Sequence, residues 1–271
     1  MNNILSNLHC HSTYSDGENT LEEMIQAAID LGLESIGISD HAYAPYDLVC
    51  CIPQEKMEPY HRELNSLKEQ YQDRIPVYAG VEVDAFYLYD KADWDYVIGS
   101  VHYLKGRSGY HTIEATPAQF EQAAEELGGY RAVAEAYGET LVKLALEYRP
   151  HILGHLDILT RLVRQGQVPL DTQASWYREM WQEIIRSIAQ SGCLVEVNTS
   201  AIYRGQSPEP FPSVEILKML QERKVPLVLN SDAHQKQNLI AAFSQAGELL
   251  RAVGYTTVKV LRPQGFVDVA L

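Results

Sequence analysis

The strongest constraint on the fold is a recurring pattern, in which short runs of apolar and β-branched residues alternate with longer segments of helical periodicity. Strands that alternate with helices form parallel sheets through right-handed crossovers. A run such as 225–231, apolar on both faces, further indicates a strand that is covered on both sides. The pattern predicts an α/β fold, a barrel or a doubly wound sheet, with seven strands at residues 4–9, 35–40, 75–83, 95–101, 151–155, 193–198 and 225–231.

The segments between the strands carry helix signals. Thr20 stands three residues ahead of Glu23, which is a capping-box pattern, and Gly32 is placed to end the same helix. The segment 105–150 is longer than one crossover needs, and we expect it to form a helical insertion over one end of a barrel. Helices are predicted at residues 20–32, 53–73, 117–127, 130–148, 173–191, 213–223 and 238–253.

Length and charge limit the domain organisation and the partners. The 271 residues suit one α/β barrel, which commonly has about 250. No internal repeat or flexible linker divides the chain, so residues 1–271 are predicted to form a single domain. The net charge of -14 repels polyanions, which makes nucleic acid and anionic membranes poor partners. An anionic substrate would therefore need positive charge concentrated at the site itself.

The cysteines and the N-terminal sequence indicate the compartment. Cys10, Cys50, Cys51 and Cys193 form no regular disulfide framework and are expected to be reduced thiols. The N-terminal sequence lacks a basic segment followed by a long apolar run, and no stretch approaches the ~20 apolar residues that span a bilayer. We expect a cytoplasmic protein.

Histidine and carboxylate residues follow nearly every predicted strand. The carboxyl ends of parallel barrel strands meet at one face, so these side chains should come together there. Mixed imidazole and carboxylate ligands suit zinc, iron or manganese better than magnesium or calcium. The candidate ligands at the strand ends are His9, His11, His41, Glu82, His102, His155, Asp232 and His234.

Spacing supports some of these residues, whereas other histidines have simpler explanations. Residues two apart in an extended segment project to the same side, so His9 and His11 can hold one ion while Cys10 points away as a small buried residue. Asp232 and His234 have the same spacing and could serve one ion or two. An isolated histidine is more often structural: on this view His61 is solvated, His151 faces the other end of the barrel, and His111 stays undecided.

Seven motifs together give the chain a family resemblance: "HCHSTYSDG", "GISDHA", "GVEVD", "IGSVHYL", "GHLDILTR", "EVNTSAIYRG" and "NSDAH". In this order they resemble the PHP (polymerase and histidinol phosphatase) metal-dependent phosphoesterases. The pieces "YVIGSVHYL" and "GHLDILTR", with an insertion between them, are most similar to stand-alone histidinol-phosphate phosphatases. An amidohydrolase-like barrel also uses an HxH pair and a late aspartate, but "SDH" and "NSDAH" fit the PHP pattern better.

The resemblance implies a distorted (β/α)7 TIM-like barrel that holds three divalent ions, with zinc, manganese or iron as candidates. Some relatives have a histidine where this chain has Asp16, for which the alternative is a turn residue in "SDG". Carried over to this chain, the first ion would be held by His9, His11, Glu82 and Asp232, the second by Glu82 as a bridge with His102 and His155, and the third by Asp16, His41 and His234.

The same resemblance implies hydrolysis of a phosphomonoester by metal-activated water, with Glu82, Asp232 and His234 supporting that water. Three divalent ions against three ligand carboxylates leave a net charge of about +3, or about +2 with a bound hydroxide, which complements a phosphate dianion. The expected partner is a small phosphorylated metabolite, foremost L-histidinol phosphate of histidine biosynthesis. The protein itself is expected to be a monomer or a small homo-oligomer.

Two arginines are candidates for binding the phosphate, because the planar guanidinium bonds two phosphate oxygens at once. Arg161 in "GHLDILTR" and Arg204 in "NTSAIYRG" both follow strands whose ends face the expected site. The alternative for each is an exposed ion pair. Asn198, which ends the sixth strand, could orient a ligand or make a structural hydrogen bond.

Other reaction types lack their sequence signals. No GxxxxGK[ST] phosphate loop, GxSxG element or CxxxxxR cradle occurs, so neither a P-loop NTPase nor a covalent nucleophile is expected. Two alternatives stay open: a PHP phosphoesterase acting on another phosphorylated metabolite or a phosphoprotein, and a catalytically silent PHP module. The intact set of ligands argues against the silent module.

Overall fold

Seven parallel strands form the centre of the molecule, and the computed structural model describes residues 6–271. All seven predicted strands are present, although residues 4 and 5 of the first lie outside the described residues. Each strand pairs in parallel with its neighbours in the order β1-β2-β3-β4-β7-β8-β9. The bounds are β1 Ser6–Asn7, β2 Ser35–Ile38, β3 Val77–Asp84, β4 Tyr96–Ser100, β7 Ile152–Leu153, β8 Leu194–Asn198 and β9 Leu227–Asn230.

The two edges of this sheet approach each other, so that the sheet nearly closes into a barrel. Past the ends of β1 and β9, Cys10 and Ala233 form a parallel bridge. The backbone N–H of His11 donates to the carbonyl of Ala233 at 2.9 Å, and the N–H of Ala233 donates to the carbonyl of His9 at 3.3 Å. The barrel predicted from the sequence is therefore confirmed, and the doubly wound sheet is wrong.

Helices cover the outside of the barrel, and each predicted helix is present. The Thr20–Glu23 capping box is formed at the first. The last predicted helix begins later, at Phe243, and the predicted helix 130–148 ends in a π-helical turn, Leu144–Tyr148. The bounds are α1 Leu21–Asp30, α2 Met57–Tyr71, α3 Pro117–Leu127, α4 Tyr130–Lys143, α5 Arg161–Arg164, α6 Ser175–Ser191, α7 Ser200–Tyr203, α8 Val214–Glu222 and α9 Phe243–Val253.

Two antiparallel hairpins were not predicted from the sequence. The first, β5 Tyr103–Lys105 with β6 Tyr110–Thr112, opens the insertion, which is therefore not helical throughout. The second is β10 Thr257–Arg262 with β11 Gly265–Ala270. The sequence interpretation relied on strands that are followed by helices. Antiparallel strands are joined by a tight turn and have no crossover helix between them, so both hairpins were missed.

The barrel interior changes from apolar at one end to polar at the other. At the amino ends of the strands, Tyr78, Tyr96 and Val228 pack with Leu261 of the second hairpin. The ring of Tyr96 fits only because residue 80 is a glycine. A Cβ at this position would lie 2.1 Å from the ring. At the carboxyl ends the inward positions carry polar and charged side chains, namely Glu82, Asp84, Ser100, Glu196, Asn198 and Asn230, all buried.

Candidate metal centre

Glu82 lies at the centre of the polar end of the barrel and is 1% exposed. Its Oε1 lies 3.0 Å from Nε2 of His155 and 3.2 Å from Nε2 of His102. Its Oε2 lies 2.9 Å from Nδ1 of His41 and 3.1 Å from Nε2 of His9. One buried carboxylate is thus surrounded by imidazole nitrogens from four different strand ends, as a bridging metal ligand would be.

Asp232 forms a second carboxylate position beside Glu82. Its Oδ1 lies 3.1 Å from Nε2 of His11, and its backbone is left-handed, with a φ of 54°. Asn198 donates from Nδ2 to its Oδ2 at 3.2 Å, and the Tyr203 hydroxyl donates to its carbonyl at 3.0 Å. Aspartate adopts this left-handed conformation more readily than most residues, and Asn198 makes an orienting contact with its carboxylate.

Asp16 marks a third group of potential ligands. Its Oδ2 lies 3.2 Å from Nε2 of His234, and its Oδ1 lies 3.8 Å from nitrogens of both His11 and His41. The sequence assigned His11 to the first ion alone, whereas its two nitrogens lie near two different groups. The clusters with potential ligand atoms within 4.8 Å of one another are His11, Asp16, His41 and His234; His9, His155 and Asp232; His9, His11 and Glu82; and His41, Glu82 and His102.

The chemistry of these residues fits metal ions. His9 Nε2, His11 Nδ1 and Glu82 Oε2 are buried, and none makes a hydrogen bond of suitable geometry within residues 6–271, although His9 Nε2 and Glu82 Oε2 lie 3.1 Å apart. A buried polar atom without a partner costs about 1–3 kcal/mol, and a bound cation removes that cost for all three atoms. Imidazole nitrogens with carboxylate oxygens are a donor set that zinc accepts. The nine residues predicted as ligands therefore lie together and fit divalent metals.

Electrostatics keep the carboxylates of the cluster ionised. Burial alone would raise the pKa of Glu82, but His9, His41 and His102 hold it well below its ordinary value. Burial and the neighbouring His234 and His41 lower the pKa of His11 to about 3. An ionised Glu82 and a neutral His11 are the forms in which these two residues can bind a metal.

Two glutamates, the buried Glu196 and the partly buried Glu114, support the candidate ligands and were missed in the sequence. Glu196 accepts a hydrogen bond from His9 Nδ1 at 2.6 Å and another from the backbone N–H of His155 at 2.9 Å. Glu114 accepts from His102 Nδ1 at 2.5 Å. Glu196 left a signal, a charged residue inside the apolar run "CLVEVN". Glu114 left none, because only the hairpin β5–β6 brings it to the site. The predicted charge balance omitted both carboxylates.

A cavity of about 510 Å³ opens above the cluster, and both predicted phosphate-binding arginines line it. Arg204 lies with a guanidinium nitrogen 3.0 Å from His234 Nδ1. Arg161 lies 3.6 Å from Glu114, so it is paired within the cavity wall rather than on the outer surface. His111 also lines this cavity, but its Nε2 lies 3.2 Å from Glu126, and it belongs to none of the ligand groups in residues 6–271.

The two remaining histidines lie away from the cluster. His151 Nδ1 accepts from the backbone N–H of Val97, next to the start of β4, which is the opposite end of the barrel as predicted. His61 contacts the carbonyl of Asp93 at 2.8 Å and the ring of Trp94. His61 therefore has structural partners that its polar helical segment did not indicate.

The fold and the cluster define a metal-binding α/β barrel, and the model of the PHP domain matches residues 7–200. The chain belongs to the PHP family. It is 30% identical to the "Probable histidinol-phosphatase" of Deinococcus radiodurans over 249 residues, which cover 88% of this chain and 89% of that protein. It is 25% identical to the "Histidinol-phosphatase" of Bacillus subtilis over 252 residues, covering 84% and 92%.

Solved structures confirm the fold. A structure from Listeria monocytogenes, provisionally assigned as the histidinol phosphatase HisK, matches with a TM-score of 0.78 at 20% identity and covers 89% of this chain and 99% of that one. Histidinol phosphate phosphatase from Lactococcus lactis, solved with zinc, L-histidinol and phosphate, matches with a TM-score of 0.67 at 18% identity, covering 97% and 99%. This chain therefore has the fold of these proteins.

Proposed function

We propose that this protein is a metal-dependent phosphomonoesterase that hydrolyses L-histidinol phosphate to L-histidinol and phosphate in histidine biosynthesis. The observation that carries the proposal is the buried Glu82 with four imidazoles around it, next to a cavity lined by Arg161 and Arg204. The relatives named as histidinol-phosphatases, which match nearly the whole chain, support the choice of substrate.

The metals are assigned to the residues as the sequence suggested. His9, His11, Glu82 and Asp232 would hold the first ion, Glu82, His102 and His155 the second, and Asp16, His41 and His234 the third. Zinc, manganese and iron all suit these ligands. When bound, such ions lower the pKa of a coordinated water to about 7 and stabilise negative charge on phosphoryl oxygens.

The protein side chains have separate tasks in this scheme. Arg161 and Arg204 bind the phosphate oxygens and fix the ester in the cavity. Glu82, Asp232 and His234 would hold the ions that supply the activated water. Glu196 accepts from Nδ1–H of His9, and Glu114 accepts from Nδ1–H of His102, which fixes the ring orientation and increases the basicity of both ligands.

A cluster of tyrosines in the wall of the cavity suits the organic part of this substrate. The rings of Tyr46 and Tyr110 are stacked at 4.1 Å, and Tyr103 lies 5.1 Å from Tyr46. Asp47 also lines this wall. Aromatic faces and a carboxylate are suitable partners for an imidazole and an ammonium group.

The remaining assignments concern the protein as a whole. We place it in the cytoplasm, as one domain that is a monomer or a small homo-oligomer. The four cysteines are free in the structure, which supports a reducing compartment. Within residues 6–271, no helix has the length and apolar character to cross a membrane.

The function is tested by elemental analysis of the purified protein, together with phosphate release from L-histidinol phosphate and from a panel of other phosphomonoesters. We expect bound divalent metal and the highest kcat/KM with L-histidinol phosphate. Glu82→Gln should lower kcat by more than about 100-fold, because it weakens a bridging ligand. Glu63→Gln, which changes an exposed carboxylate bonded to Tyr14, is the matched control.

Two results would contradict the proposal at different levels. If the protein binds no metal and hydrolyses no ester after loading with zinc, manganese or anaerobic iron, it is not a metal-dependent phosphomonoesterase. If the protein contains metal but hydrolyses another phosphomonoester with a higher kcat/KM, only the assignment of L-histidinol phosphate as the substrate would be wrong.

A further inference from the structure

Two serines and an aspartate of the family motifs have no role in the metal assignment. Ser12 and Ser15 belong to "HCHSTYSDG", and Asp40 precedes the candidate ligand His41 in "GISDHA". Asp40 is 0% exposed and lies beyond the carboxyl end of β2. It belongs to none of the candidate ligand groups in residues 6–271. A buried carboxylate beside the metal centre therefore needs another explanation.

The carboxylate of Asp40 binds one short segment of the chain. Its Oδ1 accepts from the backbone N–H of Ser12 at 2.7 Å, from the backbone N–H of Ser15 at 3.2 Å and from the Ser15 hydroxyl at 2.5 Å. Its Oδ2 accepts from the Ser12 hydroxyl at 2.8 Å. These four donors match the roughly four lone-pair sites of a carboxylate. The side chain of Asp40 therefore holds the segment 12–15 rather than an ion.

The segment that Asp40 holds leads directly to Asp16 through a tight turn. The backbone N–H of Gly17 donates to the carbonyl of Ser12 at 3.0 Å. A Cβ on Gly17 would lie 2.4 Å from the carbonyl oxygen of His11, so the turn depends on a glycine at this position. Asp16 stands between the segment that Asp40 binds and the glycine that closes the turn. Its position is therefore tied to Asp40.

The backbone of Asp40 connects the same residue to two other candidate ligands. His41 is the next residue in the chain, and the carbonyl of Asp40 accepts from the backbone N–H of Glu82 at 3.1 Å. Oδ1 of Asp16 lies 3.8 Å from Nε2 of His41. Asp40 thus joins the turn that carries Asp16 to the strand ends that carry the ligands opposite it.

We propose that Asp40 is the positioning residue of the third metal site and holds Asp16 in place to bind the ion. This inference rests on the metal assignment in the proposed function and extends it to a residue that binds no ion. The side chain of Asp16 is 27% exposed. Fixing an exposed turn residue costs conformational entropy, and the hydrogen bonds to Asp40 remove part of this cost before the ion binds.

The test measures metal retention by the full-length protein, loaded with zinc and titrated with a chromophoric chelator in the absence of substrate. Asp40→Asn replaces one acceptor oxygen by an NH2 group that cannot accept from the serines. We expect the third ion to bind about 10- to 100-fold more weakly and the other two to be retained. Excess zinc should restore the phosphatase activity of this variant, which a general loss of folding would not allow.

Ser15→Ala is a milder variant, because it removes only the hydroxyl donor to Oδ1 and keeps the backbone hydrogen bond. It should weaken binding of the third ion by about threefold or more. Combined with Asp40→Asn it should add little, because both changes remove the same hydrogen bond. If Asp40→Asn does not fold, Ser15→Ala decides the question.

The matched control is an aspartate that binds a backbone N–H at the opposite end of the barrel. Asp95 lies directly before β4, and its Oδ2 accepts from the N–H of Ala79 at 2.8 Å. Asp95→Asn makes the same chemical change far from the metal centre. It should leave all three ions bound as tightly as in the parent protein.

Three results would overturn the proposal. Either both variants retain the third ion as tightly as the parent protein, or Ser15→Ala weakens all ions equally, or the parent protein itself holds no third ion. A parent protein without any metal would also reject the proposed phosphatase. If the parent protein binds three ions and hydrolyses the ester, but neither variant changes metal retention, only the role of Asp40 is wrong.

Discussion

Individual carboxylates have distinct tasks in the metal centre. Glu82 contacts Nε2 of His9, the nitrogen that could hold a metal. Glu196 contacts Nδ1, the other nitrogen of the same ring. Glu196 is 0% exposed and also accepts from Asn198 and Asn230. Its position is that of an outer partner, which fixes a ligand without holding the ion.

Glu196→Gln should therefore weaken metal binding by about 10- to 100-fold, the usual effect of removing such a partner. The amide can still be accommodated in the network, so the fold should persist. Metal content after dialysis against a graded chelator measures the effect, with circular dichroism to monitor folding. Unchanged metal retention would contradict the role assigned to Glu196.

His41 provides a pH-dependent prediction. Burial would lower its pKa, but the carboxylates of Glu82 and Asp16 outweigh burial and raise the pKa to about 9. Because the folded-state pKa exceeds the ordinary value, this ion pairing stabilises the metal-free protein fully below about pH 6.5 and is lost as the pH rises through 9. Metal binding must displace this proton.

Zinc binding near pH 7 should thus release protons, and zinc affinity should increase as the pH rises toward 9. His11, whose pKa is about 3, contributes no proton at neutral pH. Calorimetry in buffers of different ionisation enthalpy measures the release. A zinc-binding enthalpy that is independent of the buffer would show that His41 holds no displaceable proton.

Two short helices position the arginines that line the cavity. Arg161 begins α5, Arg204 directly follows α7, and both helices have only four residues. The sequence indicated the arginines but neither helix, because four residues are too few for a periodic signal. Both arginines line the cavity above the metal cluster, where the proposed phosphate binding requires them.

Arg161→Ala and Arg204→Ala should each raise the KM for the phosphomonoester by about 10- to 100-fold, since a hydrogen bond to a charged group contributes about 1.5–3 kcal/mol. Arg131→Ala, which removes an exposed partner of Glu135, is the control. Steady-state kinetics gives the comparison. A KM that matches the parent protein in both variants would remove these arginines from the phosphate site.

The whole barrel is built around a polar end in which several buried ligand atoms have no hydrogen bond within residues 6–271. Buried carboxylates and imidazoles from almost every strand meet there, and bound cations compensate their charges and unpaired atoms. Metal should therefore contribute to the stability of the complete fold. The contribution follows from mass action, because the dispersed ligands of the unfolded chain bind metal weakly.

Removal of metal by a chelator should lower the melting temperature, and zinc at 100 times its Kd should restore about 2.7 kcal/mol of stability. For a chain of this size that amounts to a shift of several degrees, measured by calorimetry. Glu82→Gln should show a smaller shift. Equal melting temperatures with and without zinc would contradict a metal-dependent fold.

The sequence alone determined the seven strands of the barrel, the main helices and the candidate ligands, because hydrophobic periodicity and residues at strand ends are local signals. Tertiary structure decided what depends on contacts between distant segments. It closed the barrel through Cys10 and Ala233, brought Glu114 to His102 through an unpredicted hairpin, and gave His11 two neighbouring ligand groups. No spacing in the chain encodes such a meeting, because it arises only when the elements pack.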